Sequence, residues 1–217
     1  MLVRMEKLES TAVSEILNQG GLGIEAKAKT LTKLRALVLQ PQEDLAQFAS
    51  QGLELAQQDL DACAPIYSWG MSLVTYPFFA KVVEITGRLT ALHGECSAHE
   101  VHRRLSEIYG ARGVCTNGRR AVFQSLVDWG ILDRSELITR IVRKPALAVP
   151  SPMTAWLVES ALRQINRGVP ASYVPLLPTL FPFDLEEDLS YVLSRSPNAT
   201  VSQQGGQVVI SHINTEL

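Results

Sequence analysis

Apolar residues recur at helical spacing along most of the chain, and the pattern is interrupted at Gly and Pro. Leu8, Val13, Ile16 and Leu17 mark one face of a helix over 5–18, with Ser10 or Thr11 as its cap. The glycines of 19–23 form a turn. A second helix is expected over 24–39, with Leu31, Leu34, Leu37 and Val38 inward and Lys27, Lys29, Lys33 and Arg35 mostly outward. Pro41 ends it, and a third runs over 43–60. Helix continues through 62–76 with a break near Pro65 and another at Pro77. The strongly apolar stretch 78–92 carries Phe79, Val82, Val83, Ile85 and Leu89 and is the next helix.

The most informative stretch is 97–144. Ser97 and Glu100 have the spacing of a capping box, in which each side chain satisfies an orphan backbone donor. Val101, Leu105 and Ile108 follow as a core stripe, opposite Arg103, Arg104 and Glu107. Gly110 and Gly113 break the chain, and Thr116 or Asn117 is placed to cap a further helix. Val122, Phe123, Leu126 and Val127 form its buried face, and Gly130 stands where a left-handed C-terminal residue is wanted. Ile131 and Leu132 are expected to pair with 137–142 as a small ribbon across Asp133, Arg134 and Ser135.

Pro150 and Pro152 mark a boundary. An amphipathic helix is expected over 153–165, with Trp156, Leu157, Ala161 and Leu162 inward. An ordered, proline-rich connection follows over 169–182. Asp184 then caps a helix through Leu193, and 199–212 forms a hairpin turning at Gly205 and Gly206. The fold class is therefore mainly α with small β ribbons. The segments are a helical N-terminal domain over 1–72, a central domain over 73–149, and C-terminal helices with a β-hairpin over 150–217.

Composition adds few constraints. Of 217 residues, 46% are hydrophobic and 19% charged, which provides a sizeable core and excludes a disordered tail. The net charge of −2 argues against a protein that coats nucleic acid by bulk charge. Its distribution is uneven: 99–146 holds nine Arg or Lys against five acids, a local +4 that leaves −6 for the rest. Three cysteines without scaffold spacing read as reduced thiols. Glu6, Glu9 and Glu15 interrupt any signal-like apolar run, and no stretch is long enough to span a membrane, so a soluble, cytoplasmic protein is expected.

Other chemistry finds little support. The glycines at 20, 21 and 23 lack the preceding strand and following Lys-Ser/Thr of a phosphate loop. His93, Cys96, His99 and His102 recur every three residues, with Cys115 beyond. Residues so spaced drift by about 60° per step around a helix, so they do not converge on a metal. No nucleophile elbow, zinc-protease or dinucleotide motif is present, and Asp59, Asp61, Glu186, Glu187 and Asp188 read as helix-end and surface charge. Neither catalytic residue, metal nor cofactor is expected.

The stretch over 76–149 resembles a winged helix-turn-helix domain, and Leu126 to Leu132 (LVDWGIL) looks like that family's run from recognition helix into the first wing strand. In layout the chain is also similar to the BrxA family of the BREX phage-defence systems. The shared features are Gly20-Gly21-Leu22 between helices, the aromatic run Tyr76-Pro77-Phe78-Phe79, and the winged segment. That resemblance implies a non-enzymatic, DNA-contacting component of a larger defence or regulatory assembly. Asn117, Arg119, Arg120 and Gln124 are residue types that read base edges from a recognition helix. Arg103, Arg104, Arg134, Arg140, Arg143 and Lys144 would meet phosphates or an adjacent minor groove. Duplex DNA is the expected partner. The alternative is an assembly subunit whose winged helix docks another protein, marked by an exposed apolar patch near Trp69, Tyr76 or 175–182.

Overall fold

The computed structural model describes residues 10–21, 23–110, 113–132, 140–142, 145–185, 189–194, 196 and 199–212. Helix α1 (Ser10–Gln19) turns through Gly21, at φ 68°, into α2 (Ile24–Leu34). A π-helical turn, Arg35–Leu39, carries on from α2 and closes with Gln40 N–H on the Arg35 carbonyl at 2.7 Å, just before Pro41. The single helix expected over 43–60 is divided. A 3₁₀ turn at Glu43–Leu45 leads into α3 (Ala46–Ala56), and α4 (Leu60–Thr75) begins afresh at Asp59, whose carboxylate accepts the Ala62 N–H at 3.2 Å.

No break occurs at Pro65, contrary to expectation: α4 runs through it. The proline removes one backbone donor. Cys63, Ile66, Tyr67 and Trp69 on either side are all buried, and that packing holds the helix together across the lost bond. Pro77 does end α4 and opens α5 (Pro77–His93), where its fixed φ suits the first helical turn.

Strand β1 (Glu95–Ser97) leads into α6 (Ala98–Tyr109), α7 (Gly113–Asp128) and then β2 (Arg140–Val142). The ribbon differs from expectation. β2 pairs antiparallel with β1, Cys96 opposite Ile141. Ile131 and Leu132 are not strand. Their N–H groups both go to the Leu126 carbonyl, at 2.9 and 3.1 Å, so the end of α7 uses the donors a ladder would need. Residues 133–139, with Arg134, lie outside the described residues, as do 111–112 and 143–144.

Strands β3 (Leu147–Ala148) and β5 (Phe183–Asp184) pair in parallel, and β4 (Val169–Pro170), β6 (Ala199–Gln204) and β7 (Gln207–His212) form a sheet in the order β4-β7-β6. The hairpin β6–β7 is the one the alternation predicts; Gly205 and Gly206 have φ of 57° and 79°, the two positive values a type I′ turn demands. Asp184 does not cap a helix as expected. It sits in β5 opposite Ala148, and the helix α9 is described over Leu189–Ser194.

Helix α8 (Ser151–Ile165) is the largest departure from a simple amphipathic reading. It is buried from Met153 to Leu162 on nearly all sides, except half-buried Ala155, because α3, α4, α9 and β7 surround it. Trp156 lies between Phe48 and Tyr67, with ring centroids at 4.6 and 5.4 Å and planes within 10°, and its indole N–H donates to the Phe48 carbonyl at 2.9 Å. Glu159 is enclosed too, and Arg163 Nε donates to its carboxylate at 2.8 Å, with His212 Nδ1 at 4.0 Å. Each fully buried Leu here, such as Leu157 or Leu162, contributes about 1.5–3 kcal/mol over leaving it in water.

One hydrophobic cluster joins Phe48 and Ile66 to Val101 and Leu126 and on to Leu162 and Ile210. It therefore draws on 1–72, 73–149 and 150–217 alike. Trp69 lies within it, fully buried, donating to the Thr179 carbonyl at 3.0 Å and meeting Phe79, Phe181 and Phe183 edge-on.

Candidate nucleic-acid interface

Helices α6 and α7 rest on α5, and two local features fix them. At the start of α6, Ser97 Oγ accepts the Glu100 N–H at 3.0 Å, the cap that the sequence announces. In the middle of α7, Gly118 faces the Phe78 ring so closely that a Cβ would stand 2.7 Å from it. The absent side chain lets α7 lie against the start of α5.

Helix α7 begins at Gly113, earlier than the capping position expected at Thr116 or Asn117, so Asn117 is a residue of its second turn. Cys115, Val122 and Leu126 are buried, Phe123 and Val127 are half-buried, and Gly130 takes the left-handed conformation at φ 74°. On α6, Val101 and Leu105 are buried as expected, whereas Ile108 is 54% exposed and Tyr109 39% exposed. Ile108 falls in the last turn, beyond the reach of the core.

With about 100° between successive residues, Asn117, Arg120 and Gln124 fall within about 60° of one another. All three are exposed, and they form one polar stripe along α7. Gln124 Nε2 donates to the Asp128 carboxylate at 2.7 Å, which fixes the amide along that stripe. Arg119 lies about 100–160° away from these residues. It is half-buried, with its guanidinium over the Phe123 ring at 5.6 Å from the centroid and its Nε buried with no hydrogen-bond partner. Burial first, and the neighbouring Arg120 charge second, lower its pKa.

The expected phosphate-contacting residues are dispersed. Arg103 and Arg104 are exposed on α6, and Arg103 is paired with Glu107 one turn on. Arg140 is in β2, and Arg134, Arg143 and Lys144 lie outside the described residues. Of the cations near the N-terminus, Lys27 donates to Asn18 at 3.1 Å and Lys29 pairs with Glu25.

The His and Cys residues of 93–115 do not converge. His93 and His99 are exposed, His102 is half-buried, and Cys96 and Cys115 are buried. Among the described residues no group of three or more His, Cys, Asp or Glu is placed to hold a metal. Burial, followed by the charges of Glu100 and Glu95, pushes the Cys96 thiol up to about 12, so it stays protonated near neutrality. Among the described residues no helix is long and apolar enough to cross a membrane.

The apolar patch expected near Trp69 is absent there, because Trp69 is fully buried, and Tyr76 is half-buried. In 175–182, Thr179, Leu180, Phe181 and Pro182 are buried; exposed apolar surface is confined to Pro175 and Leu176, next to Tyr173. Sequence reasoning did not find Gly118, whose role depends on Phe78, or Ile108 and Tyr109 as surface residues. Comparison of the chain with protein-family models, curated proteins and solved structures finds no match.

Proposed function

We propose that this chain is a non-catalytic protein that contacts duplex DNA, with the exposed face of α7 in the major groove. The observation that carries the reading is the stripe Asn117, Arg120 and Gln124 on a helix whose opposite face is buried. Arg reads guanine O6 and N7 bidentately, and Asn or Gln does the same for adenine N6 and N7, so these are base-reading types on a free surface. The order of elements supports it: α5, β1, α6 and α7 are followed by β2, which returns to pair with β1, as in a winged helix. Arg104, exposed on α6, is available for phosphate, and the sequence over 99–146 carries a net positive charge. A place in a cytoplasmic phage-defence (BREX-like) or regulatory assembly rests on the layout resemblance alone.

Fluorescence anisotropy of labelled random duplex at about 50 and 200 mM salt tests the reading, because phosphate contacts weaken steeply over that range. Binding is expected at the lower salt and is lost at the higher. Arg120→Ala should cost about 1–3 kcal/mol as one bidentate contact. Arg119→Ala, off the stripe and packed on Phe123, should cost less. Equal losses from the two variants would overturn the assignment of the stripe. No binding at low salt would overturn the DNA reading and favour a protein-docking winged helix, a second reading supported by exposed Ile108 and Tyr109 at the end of α6.

A further inference from the structure

Strand β6 is an edge. In a two-residue hairpin the pair flanking the turn, Gln204 with Gln207, exchanges hydrogen bonds, and bonded pairs then alternate along the ladder. Ser202–Val209 and Thr200–Ser211 are the next bonded pairs. Val201 and Gln203 therefore turn their N–H and C=O groups away from β7. The same phase holds across the sheet, where Ile210, opposite Val201, faces β4 and pairs with Val169. Among the described residues β6 ends the sheet, and Thr200, Val201 and Gln203 are exposed.

Soluble monomers protect such an edge with Lys, Pro, an inward charge, a bulge or a covering helix. β6 has none of the first four: its register with β7 is unbroken, and 199–211 contains no charged residue and no proline. Helix α9 lies beside it but leaves Thr200, Val201 and Gln203 exposed. A foreign strand is selected by pockets or charges along the edge. The outer side of β6 offers Thr, Val and Gln instead, which set up no repulsion when the strand meets itself. Its backbone array is also self-complementary under a two-fold axis. With the axis at Ser202, Val201 of one copy faces Gln203 of the other, and each such pair exchanges two N–H···O bonds.

We infer that β6 pairs antiparallel with β6 of a second copy of this chain, about a two-fold axis at Ser202, joining two three-stranded sheets into one. The contact is isologous and closes on itself, so it makes a dimer and not a fibre. The inference stands apart from the DNA reading, since it concerns a different surface and is measured without DNA.

The test is sedimentation equilibrium over about 1–200 µM, the span of weak to moderate association. The wild-type mass should rise toward twice the monomer's 23.9 kDa. Val201→Lys/Gln203→Lys sets like charges opposite each other across the axis and should remain at the monomer mass. Val201→Lys/Gln203→Glu carries the same number of charges but sets Lys against Glu in the opposing copy, and should restore the dimer. Circular dichroism of both variants establishes that they fold; if the Lys/Lys variant does not, Gln203→Lys alone takes its place and should raise the dissociation constant at least tenfold. A wild-type chain that remains monomeric at the highest concentration overturns the inference. So does a dimer insensitive to the charged variants, or a Lys/Glu variant as monomeric as Lys/Lys.

Discussion

Gly52 and Gly70 hold their positions by what they lack. A Cβ on Gly52 would stand 2.3 Å from the Trp156 ring, and one on Gly70 would stand 2.4 Å from it. The indole is boxed in by Phe48 and Tyr67, so it has little room to yield. Gly52→Ala, although it favours helix locally, is expected to destabilise the protein by about 1–3 kcal/mol, the usual result of overpacking. Urea denaturation followed by tryptophan fluorescence measures it, and a more stable variant would show that the stack is looser than it looks. The thiol of Cys96 gives a second expectation at this scale. Its folded pKa is about 12 against an ordinary 9.0, so the folded state keeps a proton that the unfolded chain releases. The stability it contributes is fully present below about pH 9 and is lost as pH rises toward 12. Thermal melts between pH 8 and 11 should show a falling midpoint. Tyr67, raised by burial, adds to the decline, and Cys96→Ala should make it shallower.

Elements with a period of their own were legible. Helix α5, the cap of α6, the Gly130 terminus and the hairpin each follow from a few adjacent residues. What was not legible depends on contacts between distant segments. β1 has three residues, too short to alternate, and is strand only because Arg140–Val142 returns to it. α7 could not be started correctly from Thr116 and Asn117, because Gly113 to Cys115 carry no capping signal. Cys115 instead donates its thiol back to Gly110, a weak contact at 3.6 Å. In the candidate interface, the residue types were readable and their grouping was only partly so. Asn117, Arg120 and Gln124 share a face, whereas Arg119, next in sequence to Arg120, is turned toward Phe123. Glu159 was hidden for the converse reason: a carboxylate marks an outer face until a partner such as Arg163 is folded over it.

At the scale of the whole molecule, the hydrophobic cluster leaves no seam between the segments that the sequence suggests. Trp69 and Trp156 report on its centre, and Trp129, 5.9 Å from Phe79 between ring centroids, reports on the base of the α6–α7 unit. A cluster shared in this way should unfold in one step. Tryptophan fluorescence and far-ultraviolet circular dichroism are expected to give coincident transitions. Two separated midpoints would show that the α6–α7 unit melts on its own.

Two indole hydrogen bonds, Trp69 to Thr179 and Trp156 to Phe48, join residues 110 and 108 positions apart. During synthesis at roughly 5–20 residues per second, α4 therefore waits about 5–20 s for α8 and the segment around Thr179 to be made. Through that interval Ile66, Trp69, Met71 and Leu73 have only α3, α5 and the turn Arg35–Leu39 to pack against. A helix half of whose residues end up buried is thus left without its main partner, in the care of ribosome-associated chaperones, and slowing translation between α5 and α8 should lower the yield of folded protein.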